Sequence, residues 1–148
     1  MILTKQVAID LMAAMKAQDK VKLDALRALK TAFIIAKSET GASDIEDDAE
    51  LKIVQKLIKQ RRDSATEFAA NNRQDLAEKE NAEADVLSMY LPKQISAEEL
   101  EKAIKEIIVA VGATSMKDMG KVMGIASKKL AGTADGKAIS EMVKKILV

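Results

Sequence analysis

The stretch Asp118-Met-Gly-Lys-Val-Met-Gly-Ile-Ala-Ser-Lys-Lys-Leu-Ala-Gly-Thr-Ala-Asp-Gly136 decides how the rest of this chain is read. Met119, Val122, Met123, Ala126 and Leu130 recur at three- and four-residue spacing, which places them on one face of a helix and requires that face to be buried. Lys117, Lys121 and Lys128 fall on the opposite face. Between them runs a strip of small residues, Gly120, Gly124, Ser127 and Ala131. A glycine inside a helix costs roughly 1 kcal/mol relative to alanine, so two of them one turn apart imply that something comes close to the backbone there. A neighbouring helix is the preferred reading; a ligand is the second, kept open by the lysine row.

Gly132 closes this helix, Asp135 caps the next, and Ile139, Met142, Val143, Ile146 and Leu147 give that last helix a buried side. Upstream, Ser96-Ala-Glu-Glu99 is a capping box. It opens a helix with Leu100, Ile104, Ile107, Ile108 and Val111 on one face, ending at Gly112. Three matched apolar stripes with short loops predict a three-helix bundle over residues 95–148. Pro92 disfavours helix at Leu91, so residues 91–95 form a short hinge behind an N-terminal helical lobe of residues 1–91.

That lobe reads as about four helices. Thr4 is expected to cap the first, which runs to about Ala17 with Val7, Leu11, Ala14 and Met15 inward. Asp19 starts the second, with Leu23, Leu26, Leu29 and Phe33 inward and Lys20, Arg27, Lys30 and Lys37 in a basic stripe, read as a solvated face. Gly41 ends it. The acids Asp44, Glu46, Asp47, Asp48 and Glu50 lack the glycine and glutamate of a calcium loop, and are expected to cap a third helix from about Asp48 to Ala70. A fourth follows from about Gln74 to Tyr90, with a sparse face of Leu76, Leu87 and Tyr90.

Composition sharpens this all-α prediction. Only Phe33, Phe68 and Tyr90 are aromatic, and there is no cysteine and no histidine. Thiolate chemistry, Cys/His zinc sites and imidazole general base catalysis are thereby excluded. No segment approaches the ~20 apolar residues of a membrane span. The N-terminal apolar run is interrupted by Asp10 and has no cleavage pattern, so no signal peptide is read. A cytoplasmic monomer without membrane, metal or cofactor is expected. Charge is uneven: from Thr114 to Val148 there are seven lysines against three acids, a net of +4, whereas residues 1–94 carry fifteen bases and sixteen acids.

Gly132-Thr-Ala-Asp-Gly136-Lys137 is one residue short of a phosphate-binding loop and follows a helix, not a strand. The C-terminal lysines suit phosphate, but with no arginine and no aromatic residue beside them the surface would recognise RNA backbone and shape, not bases. Solubilising a small bundle is the competing role, and composition alone weighs the two evenly.

Several blocks taken together resemble the YqeY family: Lys59-Gln-Arg-Arg-Asp-Ser64, Arg73-Gln-Asp-Leu-Ala-Glu-Lys-Glu80, Tyr90-Leu-Pro-Lys-Gln94, Asp118-Met-Gly-Lys-Val-Met-Gly124 and Ala134-Asp-Gly136. The C-terminal lobe of that family is similar to the tail domain of the B subunit of the tRNA-dependent amidotransferase. The resemblance implies four helices then three, and a tail that helps hold tRNA while another part of the enzyme converts glutamyl- or aspartyl-tRNA to the amide. It also carries a carbon-nitrogen ligase label with glutamine as amido donor. Nothing here matches the catalytic parts of that enzyme, so the label is read as kinship. The family usually has Lys or Arg where this chain has Thr133.

The functional expectation is a tRNA- or structured-RNA-binding protein without catalytic residues of its own. Its candidate contacts are Lys117, Lys121, Lys128, Lys129, Lys137 and Lys144, with Gly120 and Gly124 permitting close approach. Arg27, Lys30, Arg61 and Arg62 form a second rank of basic residues. The alternative is a protein adaptor whose basic C-terminal face docks an acidic partner.

Overall fold

A computed structural model describes residues 2–148, and among them every regular element is helical. Two compact units divide the chain, Met1–Leu91 and Pro92–Val148.

The first unit holds α1 (Ile2–Ala17), α2 (Lys20–Thr40), α3 (Asp47–Ala70) and α4 (Gln74–Ser88). Val7 and Leu11 of α1, Leu26, Leu29 and Phe33 of α2, Val54 of α3 and Leu87 of α4 make its core. Fully burying each such large side chain contributes about 1.5–3 kcal/mol. Ala65 on α3 and Ala77 and Ala84 on α4 are also buried, and these small side chains let the α3 and α4 backbones approach closely. Asp19 caps α2 by accepting from the Lys22 N–H at 3.2 Å.

The expected Thr4 cap is corrected. Thr4 lies inside the first turn of α1, and its N–H and hydroxyl donate to Glu50 at 2.6 and 2.5 Å, joined by the Leu3 N–H at 3.3 Å. The N-terminus of α1 is thus satisfied by a carboxylate from α3, and Glu50 is fully buried. The acidic run divides accordingly: Glu46 occupies the N-cap of α3 without a side-chain bond, while Glu50 serves α1. Met15, expected inward, is 53% exposed. The fourth helix stops at Ser88, before the expected Tyr90. Met89, Tyr90 and Leu91 instead donate to carbonyls three residues back, a tightening into 3-10 geometry ahead of Pro92.

The second unit holds α5 (Ala97–Val111), a 3-10 turn (Met116–Asp118), α6 (Met119–Lys129) and α7 (Gly136–Leu147). Leu100, Ile104 and Ile107 of α5 meet Val122 and Ala126 of α6 and Ile139, Val143 and Leu147 of α7 in one core. Ser96 caps α5 through the Glu99 N–H at 3.2 Å, and Asp135 caps α7 through the Ala138 N–H at 2.7 Å. Gly112 and Gly132 end their segments at φ 69° and 79°, conformations a side chain would strain. The segment before α5 is stitched to the α6–α7 loop: Ile95 N–H donates to the Thr133 carbonyl at 3.0 Å, and Gln94 Nε2 to the Gly132 carbonyl at 2.6 Å.

Candidate nucleic-acid interface

The sequence around Ser115 launches α6. Ser115 Oγ accepts from the Lys117 N–H at 3.4 Å, and Asp118 Oδ2 accepts from the Thr114 N–H at 3.0 Å. This fixes the 3-10 turn from which α6 starts. Val122, Ala126 and Leu130 are then drawn into the core, so helical spacing turns Lys121, Gly124 and Lys128 outward. All three are exposed, as are Lys117, Gly120 and Lys129.

The glycines contradict the preferred reading of close helix packing. A Cβ added at Gly120 or Gly124 would meet no heavy atom within 4 Å among the described residues. Their backbone faces open space, and the helical penalty of the two glycines is not repaid by a neighbouring helix. Only the first part of the strip is open, since Ser127 and Ala131 are half-buried.

The lysines differ in what their positions do for the fold. Lys128 and Lys129 occupy the last turn of α6 and Lys144 the last turn of α7, where a cation favours the negative end of the helix dipole by about 0.3–1 kcal/mol. Lys117 and Lys121 sit at the opposite, positive end of α6, where a cation is unfavourable and an anion is welcome. None of the candidate lysines, Lys137 included, is held in an ion pair among the described residues. Lys121 and Lys128 are seven residues apart, as are Lys137 and Lys144, so each pair repeats over about 10.5 Å of one helix side. Thr133 is half-buried and its hydroxyl donates to the Leu130 carbonyl at 2.8 Å, binding the loop to itself.

The second-rank basic residues belong to the first unit. Arg27 and Lys30 are exposed on α2. Arg62 is committed to α4, with Nη1 on Asn81 Oδ1 at 2.9 Å and Nη2 on Asp85 Oδ1 at 2.6 Å. Arg61 is half-buried and leaves its Nε without a hydrogen-bond partner among the described residues. Glu83 is buried; burial pushes its carboxyl above the usual range, and the nearby Arg61 charge partly offsets this.

Sequence reading assigned Glu50 to the cap of α3, where it in fact serves α1, and missed Glu83 and the bond from Tyr90 Oη to Asp10 Oδ2 at 2.5 Å. The signal was available for the two glutamates. Glu50 precedes Val54 by four residues and Glu83 precedes Leu87 by four, which puts both on inward faces. Among the described residues no group of three or more metal-ligating side chains could hold an ion, and no helix is long and apolar enough to cross a membrane.

The profile described as Yqey-like protein matches residues 4–147. A relative from Pyrenophora tritici-repentis, Altered inheritance of mitochondria protein 41, mitochondrial, is 30% identical over 141 residues, covering 93% of this chain and 77% of the relative. The protein of the same name from Lachancea thermotolerans is 31% identical over 144 residues, covering 94% and 75%. One from Saccharomyces cerevisiae is 29% identical over 132 residues, covering 88% and 69%. These names correct the expected cytoplasmic placement: the relatives are mitochondrial by name, and the lack of a membrane span carries no information about compartment. With nearly its whole length matched by the family profile and by these relatives, this chain belongs to the YqeY family.

Proposed function

We propose that the C-terminal unit binds folded RNA, tRNA foremost, through the phosphate backbone and without catalysis of its own. The observation that carries this reading is the pair Lys117 and Lys121, exposed and without ion pairs among the described residues, at the positive end of α6 beside the open backbone of Gly120. Two cations there oppose the helix dipole, the Asp118 carboxylate at the N-cap being engaged by the Thr114 N–H at 3.0 Å, and together with the dipole they favour an anion. Lys128, Lys129, Lys137 and Lys144 extend the same positive field, and Gly124 keeps the helix surface low for a bulky ligand. The choice of tRNA among folded RNAs comes from the likeness of this lobe to the amidotransferase tail.

Competition tests it. Labelled tRNA bound to the whole chain should be displaced by unlabelled folded tRNA at far lower concentration than by single-stranded RNA of equal length or by poly-glutamate. Equal displacement by poly-glutamate would favour the adaptor reading, in which the same lysines dock an acidic protein.

A further inference from the structure

The N-terminal unit carries a separate surface that neither its core nor the RNA reading uses. On α1, Lys5, Ile9, Met12 and Lys16 follow one another at intervals of four, three and four residues, so they form one row along the helix. Ile9 and Met12 are each 62% exposed, while Val7, Leu11 and Ala14 fill the core from the other side. A helix that is apolar on both sides is ordinarily covered on both. On the flank of this row Ala13 and Ala17 lead into a cavity of about 280 Å³ between α1, α2 and α4, with Ala14, Leu26 and Val86 within and Met89, 73% exposed, at its edge.

We propose that this row and the groove beside it dock an amphipathic helix of a partner protein, one presenting aliphatic side chains at helical spacing with acidic residues at both ends of the strip. Charge selects that occupant. Lys5 and Lys16 bracket the apolar centre about 16 Å apart, and neither is in an ion pair among the described residues. Lys22 stands at the mouth of the groove. The carboxylates there are already engaged: Asp10 accepts from Gln6 at 2.9 Å and from Tyr90 at 2.5 Å, and Asp19 caps α2. A second copy fits poorly, because α1 laid antiparallel on itself sets Lys5 against Lys16. An anionic lipid surface could cover the row but would not enter a concave groove walled partly by Asp10 and Asp19. A helix side chain fits the groove, and methionine at the centre and edge adapts to its shape.

The test is selection of a displayed library of helical peptides on the purified whole chain. Enriched peptides are expected to carry Leu, Ile or Met at three- and four-residue spacing with Asp or Glu at both ends. Ile9→Gln with Met12→Gln should weaken them about tenfold or more, with the helix signal by circular dichroism unchanged because both positions are exposed. Should that pair unfold, Ala17→Trp, which fills the groove, takes its place. Lys5→Glu with Lys16→Glu should abolish binding and restore it to peptides whose acids are replaced by lysine. Enrichment without acidic ends, or affinity indifferent to these variants, overturns the proposal. Binding of phosphatidylglycerol vesicles that the glutamine pair removes would assign the surface to a membrane instead. Concentration-dependent dimerisation in sedimentation that the same pair removes would assign it to a second copy.

Discussion

A fully buried carboxylate is costly unless its oxygens are satisfied, and Glu50 meets that condition by taking the first donors of α1, the Leu3 and Thr4 N–H groups and the Thr4 hydroxyl. Replacing it strands those donors and leaves the start of α1 with the long Ile2 N–H bond to Asp47 at 3.5 Å. Glu50→Ala is therefore expected to lower stability by about 2–3 kcal/mol, read as a shift in urea midpoint at constant slope; an unchanged midpoint would contradict the assignment. Glu83 is the opposite case. Burial raises its carboxyl, so its contribution is fully present only below the unfolded value and is lost as pH rises through the folded one. At neutral pH the charged form is thus a burden on the fold. Glu83→Gln should melt no lower than the parent at pH 7, with the parent gaining relative to the variant as pH falls toward 4. A variant less stable at pH 7 and equal at pH 4 would show that the charge itself is needed.

At the scale of elements, sequence and structure agree where one physical signal dominates. Asp19, Ser96 and Asp135 each cap the helix expected of them, because a short acceptor before an apolar period has few other uses. Thr4 misled for the same reason: a residue of capping type has no period to reveal a carboxylate arriving from another helix 46 residues away in sequence. The candidate interface was legible in its residues and illegible in its exposure. Spacing separated the lysines, the glycines and the apolar row of α6, yet whether Gly120 and Gly124 meet a helix or open space depends on which neighbours the bundle supplies. Since nothing among the described residues fills that space, Gly124→Leu should raise or leave unchanged the melting temperature, as leucine improves helix propensity by somewhat under 1 kcal/mol. It should at the same time weaken tRNA binding by obstructing the face. A clear fall in melting temperature would mean that the position packs against the protein after all.

On the scale of the whole molecule, the two units each have their own core, and we propose that the second is a separable folding unit. A chain of residues 92–148 should show helical circular dichroism and a cooperative melt of modest stability, as so short a chain buries a limited fraction of its surface. Absence of both would tie the bundle to the N-terminal helices. The functional account rests on the exposed lysines of α6, set in a stretch with seven lysines against three acids from Thr114 onward. The most direct measurement is the salt dependence of tRNA affinity for the parent and for Lys121→Glu with Lys128→Glu, with Lys52→Glu and Lys56→Glu on the exposed side of α3 as the control for bulk charge. The C-terminal pair is expected to bind more weakly and to flatten the slope of log affinity against log salt by roughly 0.7–0.9 for each phosphate no longer neutralised, while the control pair changes the slope little. Equal losses from the two pairs, or no loss from the C-terminal pair, would contradict an RNA surface on α6.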